Sequence, residues 1–283
     1  MKLSNKLLIG FAAAVFFLPL LGMIYVSQVN YKKGSYQDIH TDRVQKDAHF
    51  NTVSEGMSSK TLPAFTSVSV DQSDQENLYV ELVQDQASGI KFENQVEAGI
   101  SMTVDANGCL HLRLKADEEH RFARIIIYSP LVQSFDVKQA KDVELLVHAD
   151  SLRMALQQMD TFRFSGETAI GEVRLAAEQV KSIIADEAKL NKLQADLGTA
   201  DFSTSKNAFD ALVLKASGKA KVELGSENDE NTIQRIKHLD IQTADSVQVK
   251  LWNVQIEQCS GRFSDGTTVS GMRAANLNQM YQR

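Results

Sequence analysis

The stretch ALVLKASGKAKVELGS, residues 211–226, decides the fold of this chain. Two short alternating runs, LVL and VEL, flank a centre of lysine, alanine, serine and glycine. Alternation of apolar and polar residues predicts β-strands, and a Ser-Gly pair between two such runs predicts a tight corner. We therefore predict one turn of a coiled β-structure with its corner at residues 217–218. The side chains expected to point inward are Leu212, Leu214, Val222 and Leu224.

The same pattern recurs along the second half of the chain. The repeated segments are residues 135–145, 162–175, 193–204, 212–224 and 239–251. Leu193 and Leu212 are 19 residues apart, and Leu212 and Leu239 are also 19 apart once the eight residues 227–234 are set aside as an insertion. A period of about 20 is typical of a solenoid, whose turns stack about 4.8 Å apart and cover one another's apolar faces. The glycines expected at corners are Gly166, Gly198 and Gly218.

Upstream segments also alternate, and DANG at residues 105–108 predicts a β-hairpin. Two segments, residues 151–159 and 176–193, are rich in helix formers and leave an α+β domain open as an alternative. We favour strands there because Ala185, Ala188 and Leu190 fit the repeat. The predicted fold class is mainly β, a parallel β-helix-like solenoid.

Residues 7–31 form a run of 25 residues without a charge. A spanning helix needs about 20 apolar residues, whereas the apolar core of a signal peptide runs to about 7–15. The length favours an uncleaved N-terminal transmembrane helix, a signal-anchor, over the alternative of a cleaved signal peptide. The predicted organisation is a transmembrane anchor (1–34), a juxtamembrane spacer (35–60), a β-solenoid domain (61–270) and a C-terminal tail (271–283).

Charge and cysteine content bound the location and the partners. The formal net charge is −6, and the first 34 residues carry four lysines and no acid, which leaves −10 on residues 35–283. Such a domain repels phosphate backbones, so we expect no nucleic-acid partner. We expect a single-pass protein with residues 35–283 extracytoplasmic, in the periplasm or at the cell surface. Cys109 and Cys259 could pair in that compartment, and we favour two separate thiols.

The candidate motifs for chemistry are weak. GETAIGEV, residues 166–173, has the glycine spacing of a phosphate loop, but Glu172 stands where the lysine would be. The positions before the second apolar run of successive repeats hold Asp142, Asp201, Lys221 and Ser246, which is not a sustained acid ladder. The patch ENDEN, residues 227–231, is a solvated loop or, less favoured, a calcium ligand. Six histidines lack metal-ligand spacing, namely His40, His49, His111, His120, His148 and His238.

Several stretches resemble a known family. They are LPAFTSVSVDQ (62–72), LYVELVQDQ (78–86), GCLHLRLK (108–115), ARIIIYSPLVQSFDVKQAKDVEL (123–145), SGETAIGEV (165–173) and ASGKAKVEL (216–224). They are similar to the bacterial "putative auto-transporter adhesin head" family, the GIN domain, a domain of unknown function. The resemblance covers about residues 60–270 and implies a right-handed β-helix-like fold and an exported or surface location. It offers no catalytic residues, and repeats at residues 138–141 and 243–246 depart from it by lacking the Ser-Gly pair.

These observations predict a membrane-anchored protein that is not an enzyme. We expect a non-enzymatic adhesion, binding or structural role at the bacterial cell envelope, with membrane contact through residues 7–31 and an envelope protein or glycan as ligand. No catalytic residue, cofactor or metal is expected. Two alternatives stay open: a polysaccharide-active β-helix enzyme that uses carboxylates from different turns, and a self-assembling scaffold.

Overall fold

The computed structural model describes residues 49–115, 121–227 and 233–271. Within these ranges the chain forms one mixed sheet of eighteen strands, and the helical structure is a single 3-10 turn at Asn94–Val96. The strands are β1 (Met57–Thr61), β2 (Ser67–Ser73), β3 (Asn77–Gln84), β4 (Gly89–Glu93), β5 (Ile100–Val104), β6 (Cys109–Leu114), β7 (Phe122–Ser129), β8 (Ser134–Val137), β9 (Asp142–Phe164), β10 (Ala169–Ile184), β11 (Lys189–Asp196), β12 (Asp201–Thr204), β13 (Ala208–Ala216), β14 (Lys221–Gly225), β15 (Gln234–Thr243), β16 (Gln248–Trp252), β17 (Val254–Arg262) and β18 (Thr268–Ser270). The prediction of a mainly β fold is confirmed.

Strand pairing divides the sheet into two strips. Strip one runs through β5, β6, β2, β8, β9, β10, β11, β13, β15 and β17. Strip two runs through β7, β3, β9, β10, β12, β14, β16 and β18, so the long strands β9 and β10 belong to both. All of these pairs are parallel except the β5 and β6 hairpin at residues 100–114, and β4 joins β7 and β1 by antiparallel pairing.

The register of strip one repeats along the chain. Leu152 pairs with Val173, Val173 with Leu193, Leu193 with Leu212, and Leu212 with Leu239. All five side chains are buried in the core cluster, where stacked apolar residues cover one another. The two spacings predicted from the sequence are therefore the spacings of paired residues, and the longer one spans the insertion.

The opening stretch forms the two strands and the intervening turn that its sequence predicts. Leu212, Leu214, Val222 and Leu224 each have 0% exposed surface, the first two on β13 and the others on β14. The turn between these strands contains Gly218, whose φ of +67° is a conformation that glycine adopts without steric cost.

The two segments rich in helix formers are strands. Residues 151–159 lie in β9, and residues 176–193 lie in β10, a turn and β11. Ala185, Ala188 and Leu190 are fully buried there, as the repeat pattern requires. Intrinsic helix propensity differs between residues by only a few tenths of a kcal/mol. Pairing with both neighbours and burial of the apolar side outweigh it.

The corners are chemically broader than expected. Gly198 and Gly218 have positive φ, but so do Gln158 (47°), Gln179 (56°) and Glu187 (63°). Residues other than the predicted glycines therefore adopt this conformation at three further positions. Strand pairing on both sides imposes the left-handed backbone on whichever residue lies there.

The folded unit includes residues from His49 onward, so residues 49–60 of the segment expected as a spacer are part of it. Lys91 on β4 is only 2% exposed, and its Nζ donates to the carbonyl oxygens of His49 at 3.0 Å and Thr52 at 2.7 Å. The ring of Tyr128 lies 5.0 Å from this nitrogen and 5.5 Å from the ring of Phe50. We call residues 49–54 and their contacts with Lys91 the N-terminal clasp.

The transmembrane helix predicted for residues 7–31 lies outside the described residues, as do residues 228–231 of the acidic patch and the tail beyond residue 271. Within the residues that the structure describes, no helix has the length and apolar character needed to cross a bilayer.

Candidate functional site

The outward side of strip one carries polar residues in columns that run across the strands. Because successive side chains of a strand point to opposite faces, the buried Val68 and Val70 place Ser69 on the outward side of β2. Its partners in register are Asp136 on β8 and His111 on β6. Residues far apart in sequence therefore meet in one row.

An acid–histidine cluster lies at this row, formed by Asp71, Asp105, His111 and Lys138. His111 Nδ1 lies 3.1 Å from Asp71 Oδ2, and its Nε2 lies 3.3 Å from Asp105 Oδ2. Lys138 Nζ lies 2.6 Å from Asp71 Oδ1, to which Ser69 Oγ also donates at 2.8 Å. The imidazole thus bridges two carboxylates, one from β2 and one from the hairpin loop.

The cluster holds both carboxylates in the ionised form. Burial raises the pKa of Asp71, but hydrogen bonds from Lys138, Ser69 and His111 outweigh it and lower the pKa from 3.8 to about 2. A backbone N–H at the end of the hairpin loop, and then His111, lower the pKa of Asp105. A general acid in glycoside hydrolysis needs a raised pKa, so this pair suits charge pairing and binding rather than proton donation.

The pKa of Asp136, one strand away, is shifted in the opposite direction. Burial raises the pKa of its carboxyl, although the backbone N–H of Ala155 donates to it at 3.0 Å and Lys138 and Arg153 lie close enough to favour its charge. Its oxygen accepts a main-chain hydrogen bond between β8 and β9, so its first role is to join these strands.

Strip two carries a buried ion pair on its outward side. Glu81 on β3 is 4% exposed, and Arg124 on β7 places Nη2 3.0 Å from its Oε2. The Arg124 guanidinium also lies 5.9 Å from the ring of Tyr79. Burial and then the charge of Glu81 raise the pKa of the Tyr79 hydroxyl, which stays protonated. A depression of about 280 Å³ next to Tyr79 is also lined by Asp142 and Arg163.

The weak sequence motifs lie in turns and at the beginnings of strands. Gly166 lies in the turn after β9, and the rest of GETAIGEV leads into β10. Asp142 begins β9, while Asp201 and Lys221 begin β12 and β14 as neighbours. The backbone N–H of Lys221 donates to the Asp201 carboxylate at 2.8 Å. Ser246 lies in the turn before β16, so these four positions do not form one acidic row.

The histidines and cysteines are dispersed. His148 Nε2 lies 2.8 Å from the carbonyl oxygen of Glu167, and His238 lies on β15, while His40 and His120 are outside the described residues. Among the residues that the structure describes, no group of three or more His, Cys, Asp or Glu side chains is arranged to hold a metal ion.

Cys109 and Cys259 lie on β6 and β17 of strip one. Eight strand spacings of about 4.8 Å separate these two strands, whereas a disulfide needs α-carbons within about 7 Å. This geometry agrees with the prediction of two separate thiols. Burial raises the pKa of both.

The sequence did not identify the acid–histidine cluster. Asp71 and His111 are 40 residues apart, and nothing local in the sequence pairs β2 with β6. One partial signal existed: the hairpin pattern places Leu110 and Leu112 inward, which requires His111 to face outward between them.

Comparisons with known proteins find similar structures but no matching family model and no matching curated protein. A "putative adhesin" from Bacteroides fragilis NCTC 9343 is 14% identical, with 76% of this chain and 97% of that chain covered and a TM-score of 0.47. A "putative lipid binding protein" from Parabacteroides distasonis ATCC 8503 is 11% identical, with coverages of 76% and 91% and a TM-score of 0.41. A "putative adhesin" from the same organism is 13% identical, with coverages of 75% and 96% and a TM-score of 0.39.

Two of these structures bear names of the class that the sequence resembles.

Proposed function

We propose that this protein is a non-enzymatic adhesion or binding protein of the bacterial cell envelope. In this proposal residues 7–31 anchor it in the membrane, residues 35–283 are extracytoplasmic, and the sheet is a right-handed parallel β-solenoid. The uncharged length of residues 7–31 supports the membrane anchor. The repeating register and the buried columns support the solenoid.

The observation that carries the binding role is the outward side of strip one. Parallel pairing extends it over nine strands, from β6 to β17, and polar side chains recur on it at strand spacing, about 4.8 Å. Such a surface offers the same kind of contact many times along one direction, which suits an extended or repeating ligand. The carboxylates of Asp71 and Asp105 on this side are already bonded to His111, and Asp71 is also bonded to Lys138.

Topology is tested by adding protease to intact spheroplasts of the producing bacterium. We expect residues 35–283 to be digested from outside. Full protection of this part of the chain in spheroplasts, with digestion only after lysis, would contradict the proposed location.

Binding is tested with the full-length chain and two matched blocking variants. Gln194 on β11 is exposed on strip one, and Gln248 on β16 is exposed on strip two. We expect Gln194→Trp to reduce binding to envelope fragments several-fold and Gln248→Trp to leave it unchanged. Equal effects of the two variants would show that strip one is not the binding surface.

The enzyme alternative makes a separate prediction. If the acid–histidine cluster were catalytic, the chain would release reducing ends from a glycan panel, and Asp71→Asn or Asp105→Asn would abolish that release. The scaffold alternative predicts concentration-dependent growth in light scattering of the full-length chain. Either result would contradict the function proposed here.

A further inference from the structure

Two arginines stand side by side on the outward side of strip one. Arg153 on β9 and Arg174 on β10 are partners in the parallel register, and both are exposed. Strands in a sheet lie about 4.8 Å apart, and like charges at directly opposed positions destabilise the pair. An anion bound between the two guanidinium groups would offset this repulsion.

The hydrogen-bond donors of this pair are only partly used. Arg174 Nε and Nη2 each lie 2.8 Å from Glu172 Oε1, which orients the guanidinium and leaves its other N–H groups available. In the described ranges no carboxylate forms an ion pair with Arg153, although Asp136 is near enough for Arg153 to favour its charge. In the described residues, Glu172 is therefore the one carboxylate that forms an ion pair with either arginine, although the domain as a whole is acidic.

Two shallow depressions meet at these arginines, and both side chains line each of them. The first, of about 450 Å³, is also lined by Gln133, Ser151 and Glu172, the carboxylate already paired with Arg174. The second, of about 260 Å³, is also lined by Gln194, Lys215 and Asp196, together with apolar side chains. The pair thus lies where two depressions meet across β9, β10 and β11.

We propose that Arg153 and Arg174 form a subsite for the carboxylate or sulfate group of an anionic polysaccharide, an inference that rests on the binding role proposed above. A guanidinium presents a planar fork of donors that matches such oxyanions in a bidentate way. The amide and hydroxyl groups of Gln133, Ser151 and Gln194 are suited to sugar hydroxyls. Several anionic groups along one chain would compensate for the weak affinity of one shallow subsite.

The two depressions favour a polysaccharide over an acidic peptide. Peptides add to an unpaired strand edge or insert apolar side chains into pockets. Here β10 is paired with β9 on one side and β11 on the other, so no edge is open. The large apolar side chains beneath, Leu152, Met154 and Leu175, are at most 4% exposed, so no deep pocket is open to an apolar anchor between the arginines.

The test measures binding of labelled oligogalacturonate, dextran sulfate, neutral dextran and polyglutamate to the full-length chain. We compare Arg153→Gln/Arg174→Gln with Lys181→Gln/Lys206→Gln, which removes the same charge from exposed lysines outside the strip-one surface, paired with Asp160 and Glu187. The arginine variant should bind at least one of the two anionic polysaccharides about tenfold more weakly than wild type. The lysine variant should bind like wild type. Both variants should keep the wild-type melting temperature, since these side chains are exposed.

The two anionic polysaccharides distinguish carboxylate from sulfate as the recognised group. Equal loss in the arginine and lysine variants would overturn the subsite, because it would show only an effect of net charge. Polyglutamate binding as tight as that of either polysaccharide would overturn it in favour of an acidic peptide. If wild type binds envelope fragments but neither anionic polysaccharide, the subsite fails and the proposed binding function stands.

Discussion

Alanine substitutions at two glycines distinguish the cost of backbone strain from the cost of pushing two paired strands apart. Gly225 ends β14 with a φ of +83°, and Gly56 lies in an exposed turn before β1 with a φ of +76°. Substitution by alanine puts a β-carbon on a left-handed backbone at both sites, which costs about 1–2 kcal/mol. The two variants share this strain and differ in what the β-carbon meets.

At Gly56 nothing lies within 4 Å of an added β-carbon. At Gly225 it would lie 2.8 Å from the carbonyl carbon of Trp252, nearer still to the carbonyl oxygen, and 3.1 Å from Val254 Cγ2. Strands β14 and β16 would have to separate by roughly 1 Å, which weakens about two backbone hydrogen bonds worth about 1 kcal/mol each. We expect Gly225→Ala to lower the free energy of unfolding by about 3–4 kcal/mol and Gly56→Ala by about 1–2 kcal/mol.

Thermal and urea unfolding of the purified full-length chain measures both costs. For a domain of this size 1 kcal/mol corresponds to about 2–4 °C in Tm, so we expect a drop of about 10 °C for Gly225→Ala and about 3–6 °C for Gly56→Ala. Equal drops would refute the argument, because they would show that the close approach of β14 and β16 adds nothing to the strain.

Three further predictions follow from the charges, the clasp and the corners. Asp71→Asn should lower stability at pH 7 by about 1 kcal/mol after allowance for solvent screening, an effect that fades as pH falls from about 4 towards 2 because the folded-state pKa is depressed. Asp136→Asn should not destabilise the fold at pH 7, since burial raises the pKa of Asp136. Urea unfolding of both variants at pH 7 and at about pH 2 checks these expectations. A larger loss of stability in Asp136→Asn than in Asp71→Asn at pH 7 would contradict them. Lys91→Met should speed amide exchange in residues 49–54, measured by mass spectrometry, because two carbonyl oxygens lose their donor; unchanged exchange there would count against the clasp. Gln179→Gly should raise Tm by about 1–3 °C by relieving its left-handed backbone, and a fall would show that no strain is stored.

The register of the parallel strands could be predicted from the sequence because it depends on a repeated local pattern. The spacing predicts that Leu193, Leu212 and Leu239 occupy equivalent positions, and the structure pairs them. The hairpin at residues 105–108 was equally local. In each case short local patterns of apolar and turn residues are enough to predict the structure.

The rest depends on contacts between distant parts of the chain. Glutamine has no intrinsic preference for the left-handed backbone found at Gln158 and Gln179. Pairing of β9 with β10 fixes the backbone there, so the local sequence gives no sign of these corners. Asp71 and His111 meet only because β2 pairs with β6. The two arginines are neighbours only through the register of β9 with β10, and their significance required the depressions beside them.

The N-terminal clasp has a mechanical consequence. If residues 7–31 hold the chain in a membrane, a pull on the domain enters at His49. The load then passes to Lys91 through backbone carbonyl oxygens, and to Asp85, which accepts from the backbone N–H of Phe50 at 2.9 Å. These bonds carry tension before β1 does, so the sheet is not peeled from its first strand. An adhesion protein under shear would keep its binding surface intact while the clasp yields first.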